Sequence, residues 1–172
     1  ASHESSGGYG AGAAYVVFGP ASGIRSISDA DGWFIGEDEV DGAGSSVAGG
    51  SDVDGDGIPD VVVGAPHAAG EEGRPGAAYL VLGPATGIVD LSAADAMLVG
   101  ESDTDRAGSR VDLGDFDQDG YGDIVVGAPF HDTVGADGGA VYFINGPVGG
   151  AVDLSGSYAK IEGEAPGDLL GW

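Results

Sequence analysis

The chain has 172 residues, enough for one domain with a substantial core, and 36 of them are glycine. Five Lys and Arg against 29 Asp and Glu give a formal charge of −24, which argues against nucleic acid or anionic membrane as a partner, because both are bound through basic patches. Cysteine is absent, so disulfides and thiolate metal sites are excluded, and no apolar run approaches the roughly 20 residues that a membrane-spanning helix needs.

An internal repeat of about 63 residues organises the chain. The motif Gly12-Ala13-Ala14-Tyr15 recurs as Gly76-Ala77-Ala78-Tyr79 and as Gly139-Ala140-Val141-Tyr142, at spacings of 64 and 63 residues. Two further groups keep this spacing, namely Gly36-Glu37 with Gly100-Glu101 and Gly163-Glu164, and Gly64-Ala65-Pro66 with Gly127-Ala128-Pro129. The repeat predicts three units: 1–43, the second half of an incomplete unit; 44–107; and 108–172, which ends with the lead-in to a further unit.

Short apolar runs bounded by Gly, Pro and Asp predict the strands of each unit. In chain order the predicted strands are 13–18, 33–36, 45–48, 60–64, 77–82, 97–100, 110–113, 123–127, 140–144 and 160–163. Four strands per unit at this period are typical of one blade of a β-propeller. The consecutive apolar residues 61–63 and 124–126 indicate strands buried on both faces, as a strand between two blades would be. We therefore predict an all-β fold of four-stranded antiparallel propeller blades, about two and a half in this chain.

The predicted blades are too few to close a propeller, which typically needs at least four. Their outer apolar faces would be exposed in an isolated monomer, and exposure of that kind is costly. We expect them to be covered by further blades of a longer chain, of which this would be a fragment, by other copies in a homo-oligomer, or by a partner protein.

Two acidic loops occupy the same place in successive units. Aspartates fall at loop positions one, three, five and nine: Asp52, Asp54, Asp56 and Asp60, and again Asp115, Asp117, Asp119 and Asp123. Two like charges about 4 Å apart near a protein surface repel by about 4 kcal/mol, so such loops favour a bound cation. Oxygen ligands in a flexible loop suit Ca²⁺ better than Mg²⁺. The alternative is a solvated acidic turn, which the duplication disfavours.

The motif Asp-x-Asp-x-Asp-Gly-x-x-Asp, followed by an apolar strand and Gly-Ala-Pro, resembles the FG-GAP repeat of the integrin α-subunit β-propeller. The resemblance implies that each loop binds Ca²⁺ between the first and second strands of a blade. It implies two sites, whose ligands are the side chains of Asp52, Asp54, Asp56 and Asp60 with the Ile58 carbonyl, and of Asp115, Asp117, Asp119 and Asp123 with the Tyr121 carbonyl. The chain departs from the family at the first strand, where the Phe-Gly pair is absent and Ser45-Ser46-Val47 and Ser109-Arg110-Val111 stand instead.

Two functions are compatible with these features. The first is a non-enzymatic calcium-binding propeller segment of an extracellular or cell-surface protein, acting in adhesion or assembly; an extracellular setting is expected because weak acidic Ca²⁺ loops are useful where Ca²⁺ is abundant. The alternative is an accessory or scaffold propeller of a secreted hydrolase or lyase acting on polysaccharide or lipid. The chain carries no Gly-x-Ser-x-Gly, His-Glu-x-x-His or P-loop motif, which favours the first. We expect the recurring tyrosines to pack in the blades and His3, His67 and His131 to be solvated.

Overall fold

The computed structural model describes residues 8–69, 73–133 and 135–172. These residues form the strands β1 (Ala13–Val16), β2 (Gly32–Ile35), β3 (Ser46–Gly49), β4 (Val61–Ala65), β5 (Ala77–Val81), β6 (Gly87–Asp90), β7 (Ala96–Val99), β8 (Arg110–Gly114), β9 (Asp123–Ala128), β10 (Ala140–Ile144), β11 (Gly150–Asp153) and β12 (Ala159–Glu162). Three-residue 3₁₀ helices span Ile27–Asp29, Leu91–Ala93 and Leu154–Gly156. Among the described residues, no helix has the length and hydropathy to cross a bilayer.

The described strands form three sheets that follow the repeat. β3, β4, β5 and β7 pair antiparallel in chain order, β8, β9, β10 and β12 do the same, and β1 pairs with β2 in the sheet of the incomplete unit. Each predicted strand is present, with its ends displaced by at most two residues. The prediction of an all-β fold built from propeller blades is confirmed, and the sheets do not close into a ring.

Two strands were not predicted, and both leave their own unit. After the third strand of its unit, the chain crosses back to the preceding blade: β6 pairs parallel with β2, and β11 pairs parallel with β7. The middle sheet therefore has five strands in the order β11-β7-β5-β4-β3, and the prediction of four antiparallel strands was incomplete. The sequence signal is weak because these segments, Gly-Ile-Val-Asp and Gly-Ala-Val-Asp, are short and begin with glycine, which is depleted in strands.

The blades approach so closely that side chains are excluded at the contact. A Cβ added to Gly64 of β4 would collide with the carbonyl oxygen of Gly108, which precedes the next blade, and a Cβ on Gly108 would collide with the Ala77 carbonyl. One unit later, Gly127 stands in the same relation to Gly171. Glycine is therefore required at these positions by space as well as by the positive φ of Gly108, which is 83°.

Apolar side chains fill the space between neighbouring sheets. The cluster between the first and second sheets includes Phe34, Val63 and Tyr79. The cluster between the second and third includes Val62 and Leu80 from one sheet with Val126 and Tyr142 from the other. β4 thus contributes side chains on both faces, as predicted, with Val62 in one cluster and Val63 in the other. β9 contributes to the second cluster alone, and its Val125 is only partly buried. Tyr79 and Tyr142 pack between blades, also as predicted.

A polar cluster recurs at each of these interfaces, beside the tyrosine. At the first, the Tyr79 hydroxyl donates to Glu37 at 3.2 Å, and the buried Asp41 carboxylate accepts the Asp38 N–H at 2.8 Å. At the second, the buried Asp105 lies 2.8 Å from Nδ1 of His131.

The prediction that the histidines are solvated was wrong for His131, which is 3% exposed. Its loop turns inward because its backbone N–H donates to Ala128 and its ring reaches Asp105 in the preceding blade. His67 is partly buried, and burial, followed by the charges of Arg106 and Arg74, lowers its pKa. His3 lies outside the described residues.

We predict that Gly64→Ala destabilises the protein by about 1–3 kcal/mol, because the added methyl group must displace the Gly108 backbone. Gly156→Ala is the matched control, since Gly156 has a negative φ and open space where the Cβ would be. Urea unfolding monitored by circular dichroism measures both. Equal stability of the two variants would contradict the close blade contact.

We also predict that Asp41→Asn stabilises the protein at neutral pH. Burial, together with the nearby carboxylates of Asp38 and Glu37, raises the pKa of Asp41. A carboxyl whose pKa is higher in the folded state loses stability as pH rises through that pKa, and the neutral amide removes this loss while its oxygen can still accept the Asp38 N–H.

The advantage of Asp41→Asn should therefore appear at pH 7 and disappear near pH 4, in melting curves recorded at both. Asp105→Asn, at the same position one unit later, serves as the control, because His131 offsets the buried charge there and the gain should be smaller or reversed. A stabilisation by Asp41→Asn that is independent of pH would contradict the argument.

Candidate metal centre

The first acidic loop connects β3 to β4, and its own backbone orients its first aspartate. The Asp52 carboxylate accepts three N–H groups, from Gly55 at 2.7 Å, Asp56 at 3.1 Å and Gly57 at 2.7 Å. Gly57 has a φ of 87°, a conformation that glycine adopts without strain. In the second loop, between β8 and β9, Asp115 accepts from Asp119 and Gly120, each at 3.1 Å. The two loops therefore share one fold.

The last aspartate of each loop is buried and ties the loop to the far end of the blade. Asp60 is 1% exposed, and its two oxygens accept the N–H groups of Val53 at 2.6 Å and Gly83 at 2.7 Å. Asp123 is 2% exposed and accepts in the same way from Phe116 at 2.8 Å and Gly146 at 3.1 Å. Because Gly83 and Gly146 follow β5 and β10, one carboxylate links the loop to the end of the third strand.

Three carboxylates of each loop converge. One oxygen from each of Asp52, Asp54 and Asp60 lies within 4.8 Å of the others, and the same holds for Asp115, Asp117 and Asp123. The converging groups are the first, third and ninth loop positions in both copies. The regular spacing of the aspartates in the sequence therefore places a carboxylate cluster in the same loop of both blades.

The fifth loop positions lie outside these clusters. Asp56 accepts the Ile58 N–H at 2.7 Å, and Asp119 accepts the Tyr121 N–H at 2.8 Å, so each closes a local turn. Ile58 lies against Gly83, and Tyr121 lies against Gly55 of the other loop. The ligand roles of Asp56, Asp119 and the Ile58 and Tyr121 carbonyls stay predictions.

The pKa values of three aspartates in the two clusters are shifted from their ordinary value. Burial, followed by the charges of Asp54 and Asp52, raises the pKa of Asp60. Partial desolvation and the neighbouring carboxylates likewise raise the pKa of Asp117. Asp52 differs, because its three backbone donors outweigh its desolvation and lower its pKa.

The donor set fits a hard divalent cation. Each cluster offers carboxylate oxygens from three side chains, with neither sulfur nor imidazole among them. At the second cluster, the Asp117 carboxylate accepts the Asn145 amide at 2.6 Å and the Asp119 N–H at 3.1 Å, which keep this side chain in place. A divalent ion would relieve the repulsion that, after desolvation, contributes to the raised pKa values of Asp60 and Asp117.

The two loops also contact each other, which the sequence did not indicate. The Gly122 N–H donates to the Asp52 carbonyl at 2.6 Å, and the Tyr121 ring lies so near Gly55 that an added Cβ would be 2.6 Å from a ring carbon. The first loop thus packs on the second across the blade interface. Gly55 and Gly122 are the signal that could have suggested it, since both leave room for a neighbour.

Comparison with known proteins agrees with this architecture. The family model for the FG-GAP repeat matches residues 43–81 and 107–144. Integrin alpha-5 of Xenopus laevis is 34% identical over 142 residues, which are 79% of this chain and 13% of that protein. Human integrin alpha-7 is 39% identical over 136 residues, which are 77% of this chain and 10% of that protein.

Each family match begins with Ala-Gly, at Ala43 and Ala107, and contains one acidic loop and one Gly-Ala-Pro. The glycine of each pair, Gly44 or Gly108, has a positive φ. Repeat period, blade topology and both family matches agree, and the chain therefore belongs to the FG-GAP repeat family.

Proposed function

We propose that the chain is a calcium-stabilised β-propeller segment that acts in protein–protein adhesion or assembly and has no enzymatic role. The observation that carries the proposal is the duplicated carboxylate cluster, held at the same place in two FG-GAP repeats. The proposed ligands are Asp52, Asp54 and Asp60 in the first loop and Asp115, Asp117 and Asp123 in the second. Asp56, Asp119 and the Ile58 and Tyr121 carbonyls would complete each shell after a local adjustment of the loop.

The proposed role of the ion is structural. Each cluster contains the buried aspartate that connects the loop to the end of the third strand, so an ion bound there would stiffen the whole blade edge. Because the two loops are in contact, filling one site would also support the other.

The likeness to integrin alpha-5 and integrin alpha-7 supports a place outside the cell or on its surface. The chain spans only 13% and 10% of the length of these relatives, so the partners of the whole proteins are not assigned to it. We propose residues 1–43, 44–107 and 108–172 as the sequence units. Their open faces, where Phe18 is 47% and Trp172 65% exposed, would be covered by further blades or by a partner protein.

We predict that Ca²⁺ raises the melting temperature and that EDTA reverses the change. Extracellular calcium modules bind with Kd of about 10⁻⁴–10⁻³ M, so 10 mM Ca²⁺ should add about 1.4–2.7 kcal/mol for each site. For a domain of this size that corresponds to about 3–10 °C for each site in a calorimetric scan. A melting curve indifferent to both Ca²⁺ and EDTA would rule out the proposed role.

We predict that single substitutions remove the sites one at a time. Asp54 and Asp117 are exposed and hold the loops less than the buried aspartates do, so Asp54→Ala and Asp117→Ala should each lower the stoichiometry from two Ca²⁺ to one in isothermal titration calorimetry. Asp112→Ala, an exposed aspartate of β8 outside both clusters, is the control and should keep two. Unchanged stoichiometry in Asp54→Ala and Asp117→Ala would show that calcium binds elsewhere.

A further inference from the structure

Positive charge gathers in one pocket of this acidic chain. The chain has only five Lys and Arg against 29 Asp and Glu, yet two of the five, Arg106 and Arg110, line a single pocket of about 200 Å³. Its other walls are Ser45, Pro66, His67, Ser109 and Trp172. No acidic residue of the described chain is among them. We call this site the arginine pocket.

The arginine pocket lies where two blades meet, on the side away from the acidic loops. Ser45 and Ser109 precede β3 and β8, and His67 follows β4, whereas the acidic loops lie at the opposite ends of these strands. The close contact between Gly64 and Gly108 joins the same strand ends. All the basic side chains of the pocket fall within residues 67–110, in two units that each have their four strands. The pocket is therefore produced by one blade contact and is separate from the carboxylate clusters.

The repeat itself requires neither arginine. The equivalent residues one unit earlier are Gly42 for Arg106 and Ser46 for Arg110. Gly42 has a φ of 69° and Arg106 a φ of 57°, a conformation that glycine adopts without strain and arginine does not. Glycine and serine would thus satisfy the fold at these two positions, and the arginine side chains need another explanation.

Contacts within the chain hold both guanidinium groups in place. The guanidinium carbon of Arg106 lies 4.4 Å from the ring centroid of Phe130, and the Phe130 ring packs edge-on against Trp172 at 5.8 Å. The Arg110 guanidinium donates to the Ser109 carbonyl at 2.8 Å. An aromatic ring and a carbonyl orient these groups without cancelling their charge.

Neither arginine of the pocket has an acidic partner among the described residues, because every ion pair there involves His131 or Lys160. The arginine charge also reaches His67, since burial, followed by the charges of Arg106 and Arg74, lowers the pKa of this imidazole. His67 is therefore neutral at physiological pH, and a neutral imidazole can still donate one ring N–H. The pocket combines two fixed positive charges with one neutral donor.

The chemistry of the arginine pocket selects an anionic oxygen ligand. Guanidinium groups bind carboxylate, phosphate or sulfate oxygens through paired N–H donors. The volume of about 200 Å³ is smaller than the roughly 300–1,000 Å³ of typical small-molecule sites, so the pocket admits one anionic group on a short stem. A polyanion would extend onto a surface whose formal charge is −24 and would be repelled there. A single carboxylate is the best match.

We propose that the arginine pocket binds the carboxylate of one aspartate or glutamate side chain on a partner protein. Arg106 and Arg110 hold the carboxylate oxygens, and His67 donates a further N–H. A charged contact of this kind fixes the orientation of a partner more than it adds affinity. The inference rests on the proposed role in protein–protein assembly, names a group that the partner must present, and is independent of the calcium sites.

The experiment titrates the ¹⁵N-labelled full chain in Ca²⁺, at constant ionic strength, with the pentapeptide acetyl-Gly-Ser-Asp-Ser-Gly-amide. We expect saturable shifts of the amide signals of residues 67 and 106–110, with a Kd of about 1–10 mM from two or three charge-assisted hydrogen bonds. The same peptide with asparagine in place of aspartate should bind about tenfold more weakly or less. The signals of residues 55–57 and 118–120 should not move, which would exclude binding of the peptide to calcium in the acidic loops.

Substitutions taken from the preceding unit test the two arginines. Arg106→Gly and Arg110→Ser introduce the residue types that the fold accepts at Gly42 and Ser46. Each should weaken peptide binding about tenfold or more, because a guanidinium donor pair is lost. Arg25→Ser is the matched control, since Arg25 is exposed, lies outside the pocket and carries the same charge. This variant should bind the peptide like the wild type.

Two further probes identify the source of the carboxylate. Acetate should bind about threefold more weakly than the aspartate peptide or less, because it covers none of the apolar surface of Pro66 and Trp172. Heparin, a sulfated polysaccharide, should bind no better than the peptide per anionic group, because the acidic surface repels a polyanion.

Absence of saturable shifts, equal binding of the asparagine peptide, or an equal loss in Arg25→Ser and the two pocket variants would overturn the proposal. Tighter binding of acetate or heparin would do so as well, since the ligand would then be a free carboxylate or a polyanion. A chain that binds two Ca²⁺ but not the aspartate peptide refutes this inference alone, whereas one that binds the peptide but no Ca²⁺ refutes only the proposed calcium role.

Discussion

The blades depend on one buried carboxylate each. Asp60 accepts N–H groups from Val53 and Gly83, and thereby joins the acidic loop to the end of a strand 23 positions further along the chain. Hydrogen bonds to a charged acceptor are stronger than neutral ones, and a buried carboxylate without them would be costly. The same side chain also forms one corner of the proposed cation site. The backbone hydrogen bonds that hold the loop on the blade therefore also position this corner of the proposed site.

Contact between blades imposes the second constraint, and it explains the composition. Glycine stands at several points where one blade touches the next, as at Gly64 with Gly108, and at Gly55 and Gly122 between the two loops. Side chains fill only the space behind these contacts, where Tyr79 and Tyr142 are packed beside the polar clusters. The high glycine content thus reflects close packing as much as turns, and the blades are held at a spacing that a single methyl group would disturb.

Much of the fold and of the candidate site could be predicted from the sequence, because the two complete units carry the same strand and loop motifs. The strands containing Val62 or Val126 were evident from consecutive apolar residues, and the acidic loops from their regular aspartates. β6 and β11 were missed because their pairing is set by the preceding blade and not by their own composition. The burial of His131 was missed for a related reason, since its partner, Asp105, belongs to another unit. What the sequence patterns did not identify is which residues of one unit meet which residues of the next.

The crossing strands make each blade incomplete without the next unit. In an array of repeats, each unit contacts only its neighbours, and stability is approximately a sum of terms for the units and for the interfaces between them. Here β6 and β11 contribute backbone pairing and a buried leucine to the sheet before them, so the interface includes part of the sheet itself. Removing a unit would therefore expose a strand edge as well as an apolar face, and free edges of this kind attract other strands. Among the described residues, β2 and β7 each pair with such a strand at their outer edge.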